Sequence, residues 1–229
     1  DEIEICGQKV PLSSNLIIDC GFLKIAAEIC EDMWVSTPPS AIHALKGANI
    51  IFNLSATNAV IGKSSYRKML VKQRSFTSHC GYVFASACVG ESTTDTLYSA
   101  HMLIAENGSL LVDEKQLSFE STVAYTEIDL DRLEADRKKR TTFDTVLEHK
   151  NKYRYIKVDF EAPVIESLTR SVARFPFVPR ISSDKNDRMH EIYDILAFSL
   201  AKRLKHTNIK SPVIGISGGL DSTDRKSVV

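Results

Sequence analysis

The sequence predicts an α/β fold, and three observations lead to that prediction. Short β-rich runs alternate with helical patterns over residues 1 to about 128. Hydrophobic residues make up 43% and charged residues 25% of the chain, which are the proportions of an ordinary globular protein. With 229 residues, the chain is long enough for one large domain or for one domain and part of another. We therefore expect a layered sandwich of helices and β-sheet.

Six runs in the first part of the chain predict β-strands. Their apolar, β-branched and aromatic residues lie at 22–29, 50–54, 82–87, 101–105, 109–112 and 122–128. Helices are predicted between the first three runs, from Pro38 to Leu45 and from Ser64 to His79. Glu106-Asn107-Gly108 is typical of a hairpin turn. This order of strands, helices and hairpin indicates an α/β layered architecture.

The second part of the chain predicts two further helices. Asp129 to Lys139 has a capping Asp and ends in the basic run 137–140, which we expect to stay solvated and offset the helix dipole rather than bind nucleic acid. Asp187 to Lys205 carries apolar residues on one side and leads into a predicted strand at 212–216. The stretch between the helices is irregular and contains three prolines, so it predicts a linker between domains.

Composition excludes several classes of function. Lys plus Arg equals Asp plus Glu at 29 each, so no overall charge attracts nucleic acid or an anionic membrane. No apolar run approaches the roughly 18 residues that span a bilayer. The five cysteines form no C-x-x-C pair, which argues against a disulfide framework and a zinc site. We expect a cytoplasmic protein without nucleic-acid or membrane partners.

A glycine-rich segment at 217–222 follows the last predicted strand. Its glycines and hydroxyls are typical of an anion site, because the backbone N–H groups can approach a phosphate closely. A Walker loop needs a Lys that is absent here. A hydrolase nucleophile elbow fits G-x-S-x-G at 215–219, but no His follows in the last seven residues. A plain turn is a third alternative.

The motif S-G-G-x-D-S after a strand resembles the pyrophosphate loop of the ATP pyrophosphatases. These enzymes adenylate a carbonyl or carboxyl oxygen and then displace AMP with a nucleophile. The resemblance implies that ATP is bound by Gly215, Ile216, Ser217, Gly218, Gly219, Leu220, Asp221 and Ser222.

Cys30 lies at the end of an apolar run, in the segment E-I-C-E-D-M-W at 28–34. A Cys in this position is commonly a small buried hydrophobe. Trp34 and Pro38-Pro39 instead favour a sharp exit from the strand, which would place the sulfur at an elbow open to a substrate. Because two carboxylates follow it, a nucleophile here would need a separate base and a cation.

The segments A-E-I-C-E-D-M-W, P-P-S-A, N-x-S and I-G-K resemble the nitrilase superfamily, and its glutaminase branch in particular, over about residues 3 to 145. The resemblance implies an α-β-β-α sandwich and a Glu, Lys, Cys triad with Cys30 as the nucleophile. The N–H of Glu31 would complete the oxyanion site. Glutamine would be bound by Glu31, by Lys63 and by Thr57, where the family more often has Ser. A solvated role for Lys63 and a turn role for Thr57 remain open alternatives.

The joined domains resemble the layout of the glutamine-dependent NAD synthetases, and so do R-F-P-F-V-P at 174–179 and G-E-S-T-T-D at 90–95. This layout implies that ammonia from glutamine amidates adenylated nicotinic acid adenine dinucleotide to NAD, with ATP cleaved to AMP and pyrophosphate and with Mg²⁺ required. A homo-oligomer is also implied. The predicted parts are a glutaminase domain at 1–145, a linker at 146–184, the start of an adenine-nucleotide α-hydrolase-like domain at 185–223, and a tail at 224–229.

Further expectations concern the two ends of the sequence and the function of the chain. Residues 224–229 are one translation of a common sequencing adapter, so we expect an adapter-derived tail on a fragment truncated at both ends and inactive by itself. The triad Glu and Lys are then expected upstream of Asp1. Two alternatives are a stand-alone nitrilase-type amidase and a non-catalytic module in which Cys30 is unreactive.

Overall fold

The structure is a computed structural model that describes residues 1–92, 95–115, 117, 119–143, 152–175, 182–220 and 222. It divides into two compact units, residues 1–171 and residues 172–229. Asp221 and the predicted tail at 224–229 lie outside the described residues. In the described part of the chain, no helix is both apolar enough and long enough to cross a bilayer.

A seven-stranded mixed sheet forms the centre of the first unit. Its spatial order is β8-β7-β6-β5-β4-β3-β9. The strands are β3 (Leu16–Asp19), β4 (Lys24–Ile29), β5 (Ile50–Ser55), β6 (Gly81–Ser86), β7 (His101–Glu106), β8 (Ser109–Lys115) and β9 (Arg154–Lys157). Strands β4, β5 and β6 are parallel, as is the pair β3 and β9, and the remaining pairs are antiparallel. A separate hairpin is formed by β1 (Glu2–Ile5) and β2 (Gln8–Pro11).

Two of the three α-helices described in this unit connect parallel strands. Helices α1 (Pro39–Leu45) and α2 (Lys63–Ser78) provide the crossovers that parallel pairing requires. Helix α3 (Leu130–Lys139) begins at Asp129, whose Oδ1 accepts a hydrogen bond from the Arg132 N–H at 2.9 Å. Short 3₁₀ turns at Cys30–Trp34 and Val89–Glu91 follow β4 and β6.

The two faces of the sheet differ in burial. One face packs against α1 and α2, and its core includes Ile51, Tyr82 and Leu103 with Ala44 and Val71 from the helices. The other face is also apolar but more open, with Ile29 at 58% and Leu54 at 54% exposure. The buried sheet face packed against the helices therefore includes the strand ends that form the candidate site.

The α/β fold predicted from the sequence is confirmed in the first unit. Helices α1, α2 and α3 and strands β4 to β8 all lie within three residues of their predicted bounds. The predicted Asn-Gly turn has φ values of 47° and 84° at Asn107 and Gly108. A Cβ at Gly108 would lie 2.9 Å from the Cβ of Phe76, so both conformation and space require glycine there.

The predicted strand at 122–128 is wrong. The segment is irregular, because it crosses the open face of the sheet instead of pairing at an edge. Thr122 Oγ1 contacts Met102 Sδ at 4.0 Å, and Ile128 packs so closely over Gly81 that a Cβ there would lie 2.7 Å from its Cδ1. The apolar residues of this run thus serve face packing rather than strand pairing.

Strand β9 lies inside the range that the sequence predicts to be a linker. It pairs in parallel with β3, from Leu16 opposite Arg154 to Asp19 opposite Lys157. The Tyr155 hydroxyl donates to the Lys46 carbonyl at 2.9 Å, and Arg154 pairs with Glu2 at 2.9 Å. The short hairpin and β3 were not predicted either.

The prediction of a solvated basic run is wrong for Arg137. Its guanidinium donates to three main-chain carbonyls, of Ala48 at 2.6 Å, His79 at 3.0 Å and Ser78 at 3.1 Å. The reason is that the carbonyls of Ser78 and His79 lie at the end of α2 and that of Ala48 lies in the connection before β5, where no donor of a regular helix reaches them. The neighbouring Lys138 is exposed and pairs with Glu134 of its own helix at 2.7 Å, as expected.

The second unit contains α4 (Ser182–His206), which includes the helix predicted from Asp187 to Lys205. Several of its apolar side chains, such as Ile192 and Ile195, are more than half exposed. The predicted strand at 212–216 is absent, and Val213 is 97% exposed. A strand needs a hydrogen-bonding neighbour, and none is present among the residues described in this unit.

Candidate active site

The nucleophile candidate lies where β4 ends. Cys30 opens the 3₁₀ turn with φ at 49°, a left-handed conformation that residues with side chains seldom adopt. Three side chains hold this turn. Asp32 Oδ2 accepts from the Ile29 N–H at 2.8 Å, and Asn53 Nδ2 donates to the Cys30 carbonyl at 3.3 Å. Arg74 donates to the carbonyl of Met33 at 3.0 Å and to that of Val35 at 2.8 Å. The chain therefore turns sharply at the predicted elbow.

A cleft of about 570 Å³ opens beside this elbow, at the carboxyl ends of β4 and β5. It brings together all four residues predicted for glutamine chemistry, which are Cys30, Glu31, Thr57 and Lys63. Thr57 follows β5 and is buried, and Lys63 is the first residue of α2. The rest of the lining is supplied by Trp34, Ala56, Asn58, Thr96 and Tyr98.

The cleft carries one ammonium, one carboxylate and one thiol. Lys63 Nζ donates to Asn58 Oδ1 at 2.6 Å and lies 5.8 Å from the centre of the Trp34 ring, so its direction is fixed by two contacts. Asp32 is engaged in the main-chain contact described above, whereas Glu31 is exposed in the cleft. A ligand with both an amino and a carboxylate group matches this charge arrangement.

A buried polar network lies beneath the elbow on the helix-facing side of the sheet. Glu28 is 2% exposed, and its carboxylate accepts from the Ser40 N–H at 2.7 Å and from the Tyr82 hydroxyl. Burial, and then the charge of Glu28, raises the pKa of Tyr82 well above its usual value. Burial also lowers the pKa of His43, whose Nδ1 lies 2.8 Å from the Tyr153 hydroxyl. These groups join β4, β6, α1 and the residue just before β9 beneath the nucleophile.

Several site residues were not identified from the sequence. Asn58 and Tyr98 form an isolated antiparallel bridge across the cleft, and no local pattern marks either of them. Asn53 belongs to the N-x-S motif of the sequence analysis, where it was given no role, although its place two positions after Ile51 puts it on the same buried strand face. An amide in that position calls for hydrogen-bonding partners.

The predicted ATP loop lies in the second unit. Ser222 Oγ accepts from the Ser217 N–H at 3.2 Å, lies 3.1 Å from Ser217 Oγ and donates to the Gly219 carbonyl at 3.0 Å. Gly218 has φ at 82°, so the turn uses glycine as predicted. Gly215, Ile216 and Leu220 are exposed. Among the described residues of the chain, no three His, Cys, Asp or Glu side chains are arranged to hold a metal ion.

Comparison with known proteins identifies the family. The model of the carbon-nitrogen hydrolase family matches residues 4–138, a range that includes the whole elbow and cleft. The chain belongs to the carbon-nitrogen hydrolase family. Its mixed sheet and packed helices have the nitrilase-like α/β fold of that family, which confirms the predicted fold class.

The similar family members include enzymes from two mycobacteria. The chain is 35% identical over 230 residues to the glutamine-dependent NAD(+) synthetase of Mycobacterium tuberculosis, covering 96% of this chain and 34% of that protein. It is 37% identical over 206 residues to the synthetase of Mycobacterium leprae, covering 88% and 30%. A crystal structure of a synthetase from Cytophaga hutchinsonii matches 52% of this chain and 19% of that one, with 30% identity and a TM-score of 0.45. The chain thus spans about a third of the length of these curated relatives.

Proposed function

We propose that this chain is the glutamine-hydrolysing part of a glutamine-dependent NAD synthetase. The observation that carries the proposal is the cleft in which the Cys30 thiol meets the side chains of Glu31 and Lys63. Glutamine has an α-amino group for the carboxylate, an α-carboxylate for the ammonium, and a carboxamide that a thiol can attack. Thr57 adds a hydroxyl on the same wall.

The reaction proposed for the cleft is acyl transfer through Cys30. The sulfur attacks the side-chain amide carbon of glutamine, the C–N bond breaks, and ammonia leaves with an added proton. A thioester remains, which water cleaves to glutamate and the free thiol. The N–H of Glu31 would donate to the oxygen that becomes negative in each tetrahedral step. We assign no described residue to the base that moves the protons.

The second half of the proposal concerns NAD formation. It is supported by the names of the relatives and by the S-G-G-x-D-S loop at 217–222. Ammonia would amidate adenylated nicotinic acid adenine dinucleotide, with ATP cleaved to AMP and pyrophosphate. The described residues provide no fitting cluster for Mg²⁺, so no step is assigned to it. The five free thiols favour a reducing compartment such as the cytoplasm, and a homo-oligomer remains part of the proposal.

The decisive experiment compares two cysteine variants in the full-length enzyme. Cys30→Ala should lower glutamine-driven NAD synthesis by at least about 10³-fold, because no acyl intermediate can form, and should leave ammonia-driven synthesis intact. Cys88→Ala, which removes a half-buried free thiol outside the cleft lining, should change neither rate.

The outcomes separate the parts of the proposal. Retained use of glutamine by Cys30→Ala would contradict the assignment of the nucleophile. If the full-length enzyme hydrolyses glutamine but forms NAD from neither glutamine nor ammonia, it acts as an amidase. That result would contradict the synthetase part of the proposal.

A further inference from the structure

We propose that Asn53 is a positioning residue that orients the oxyanion-binding N–H of Glu31. This inference rests on the proposed glutaminase function and adds a residue to it. Asn53 lies on β5, directly opposite Glu28 of β4 in the strand register. Its Nδ2 donates to the carbonyl of Cys30, the residue that carries the reacting sulfur.

Burying the Asn53 side chain at this position costs free energy. It is completely buried in the interior of a strand, where an aliphatic residue would pack without losing hydration. Both ends of its amide are used, since Oδ1 accepts from Ser55 Oγ at 2.6 Å while Nδ2 reaches the Cys30 carbonyl at 3.3 Å. Because the Cys30 carbonyl can only accept, that contact requires the Nδ2 end of the amide to face Cys30, and the Ser55 hydroxyl then donates to Oδ1.

The rest of the buried network packs the strand pair that carries Asn53. Tyr82 from β6 donates its hydroxyl proton to Glu28, the residue directly opposite Asn53 on β4. Glu28 is in turn held by the Ser40 N–H of α1. All these side chains are almost fully buried, so their positions are set by the fold and do not depend on solvent.

The connection to chemistry follows from the geometry of one peptide bond. The peptide between Cys30 and Glu31 is planar and trans, so its C=O and N–H point in opposite directions. When Asn53 holds the C=O toward the buried network, the Glu31 N–H points away from that network, toward the elbow's open side. Cys30 and Glu31 both line the cleft on that side. The same hydrogen bond also supports the left-handed backbone of Cys30, which is stable only when its surroundings enforce it.

The test is Asn53→Leu in the full-length enzyme, which keeps the side-chain volume and removes the donor. We expect kcat for glutamine hydrolysis to fall about 10²-fold, as for other losses of oxyanion stabilisation. KM should stay within about threefold, because the interaction strengthens only in the transition state. Ammonia-driven NAD synthesis should be unchanged.

A second readout separates positioning from a merely structural role. The rate of Cys30 alkylation by iodoacetamide is measured by mass spectrometry. This reaction displaces iodide from a methylene carbon and develops no oxyanion. Its rate in Asn53→Leu should therefore stay within about threefold of wild type. Ser75→Ala is the matched control, because it removes another buried side-chain donor to a main-chain carbonyl, that of Cys80 at 2.6 Å, and should leave kcat unchanged.

Tyr82→Phe provides an independent variant with a smaller perturbation. Loss of its hydroxyl should lower kcat by about 3- to 10-fold, the equivalent of one hydrogen bond, again without slowing alkylation. If Asn53→Leu does not fold, Tyr82→Phe decides the question by the same two measurements.

Unchanged kcat in the folded variants would overturn the inference, and so would an equal loss of kcat and alkylation rate. If wild type and Asn53→Leu hydrolyse glutamine equally fast, only this inference is refuted and the proposed function stands. A wild type that hydrolyses no glutamine overturns the proposed function as well.

Discussion

Arg137 provides a direct test of how the third helix is fastened to the sheet. Substitution by Met keeps most of the aliphatic stem and removes the guanidinium. The three carbonyls of Ala48, Ser78 and His79 then lose their charged donor. Since these carbonyls belong to the end of α2 and to the connection before β5, one substitution loosens three elements.

The magnitude follows from the contacts. A hydrogen bond to a charged group contributes about 1.5–3 kcal/mol, but the three share one guanidinium and water can replace part of the loss, so we expect about 3 kcal/mol in total. For a chain of this size that corresponds to a fall in Tm of about 6–12 °C.

The assay is thermal unfolding of Arg137→Met beside Lys138→Met, followed by circular dichroism. Lys138 is the next residue of the same basic run and is 74% exposed in its pair with Glu134. A surface pair of this spacing contributes about 0.3–0.5 kcal/mol, so its Tm should fall by no more than about 2 °C. Equal shifts for the two variants would refute the anchoring role of Arg137.

Two further predictions concern residues 152–171. Arg170→Ala removes two hydrogen bonds, at 2.7 and 3.1 Å, from the buried carboxylate of Glu106. The free energy of unfolding in urea should therefore fall by roughly 2–4 kcal/mol, and trypsin should cleave this segment faster. The control variant Glu166→Ala should match wild type in both measurements. The Thr169 main-chain N–H, with the larger effect, and the Thr169 hydroxyl donate to Glu127 and lower the pKa of its carboxyl from 4.5 to about 2. The ionised Glu127 therefore stabilises the fold above pH 4.5, and this stabilisation is lost as the pH falls toward 2. Glu127→Gln should flatten that acid limb of the stability curve, and an unchanged limb would count against the Thr169 contacts.

The parts of the fold that the sequence predicts are those with local signals. Helix α2 has apolar spacing and a glycine just before it, and β4 to β6 are mostly apolar runs, so each can be recognised within a short window. Strand β9 cannot, because it pairs with β3, about 140 residues earlier, and its own four residues are mostly charged or exposed. The run 122–128 has the composition of a strand, but tertiary packing places it across a sheet face.

The candidate site divides in the same way. Cys30, Glu31, Thr57 and Lys63 were predicted through contiguous motifs, and the structure brings their side chains to one cleft. Asn53 and Tyr82 act through contacts between neighbouring strands, which depend on register and not on spacing within one motif. Arg137 shows the converse, since its run of four basic residues looks uniform in sequence while one side chain finds carbonyls on two other elements.

The pairing of β9 with β3 has a consequence for how the chain folds during synthesis. Residues Leu16–Asp19 leave the ribosome well before the strand that pairs with their outer edge, which is made about 135 residues later. At typical translation rates of about 5–20 residues per second, that edge stays open for roughly 7–27 s. An open strand edge is a template for pairing with other chains, so we expect nascent chains to be prone to aggregation in this interval. Slower translation of residues 20–150 should therefore lower the yield of folded protein, whereas slower translation after residue 160 should not.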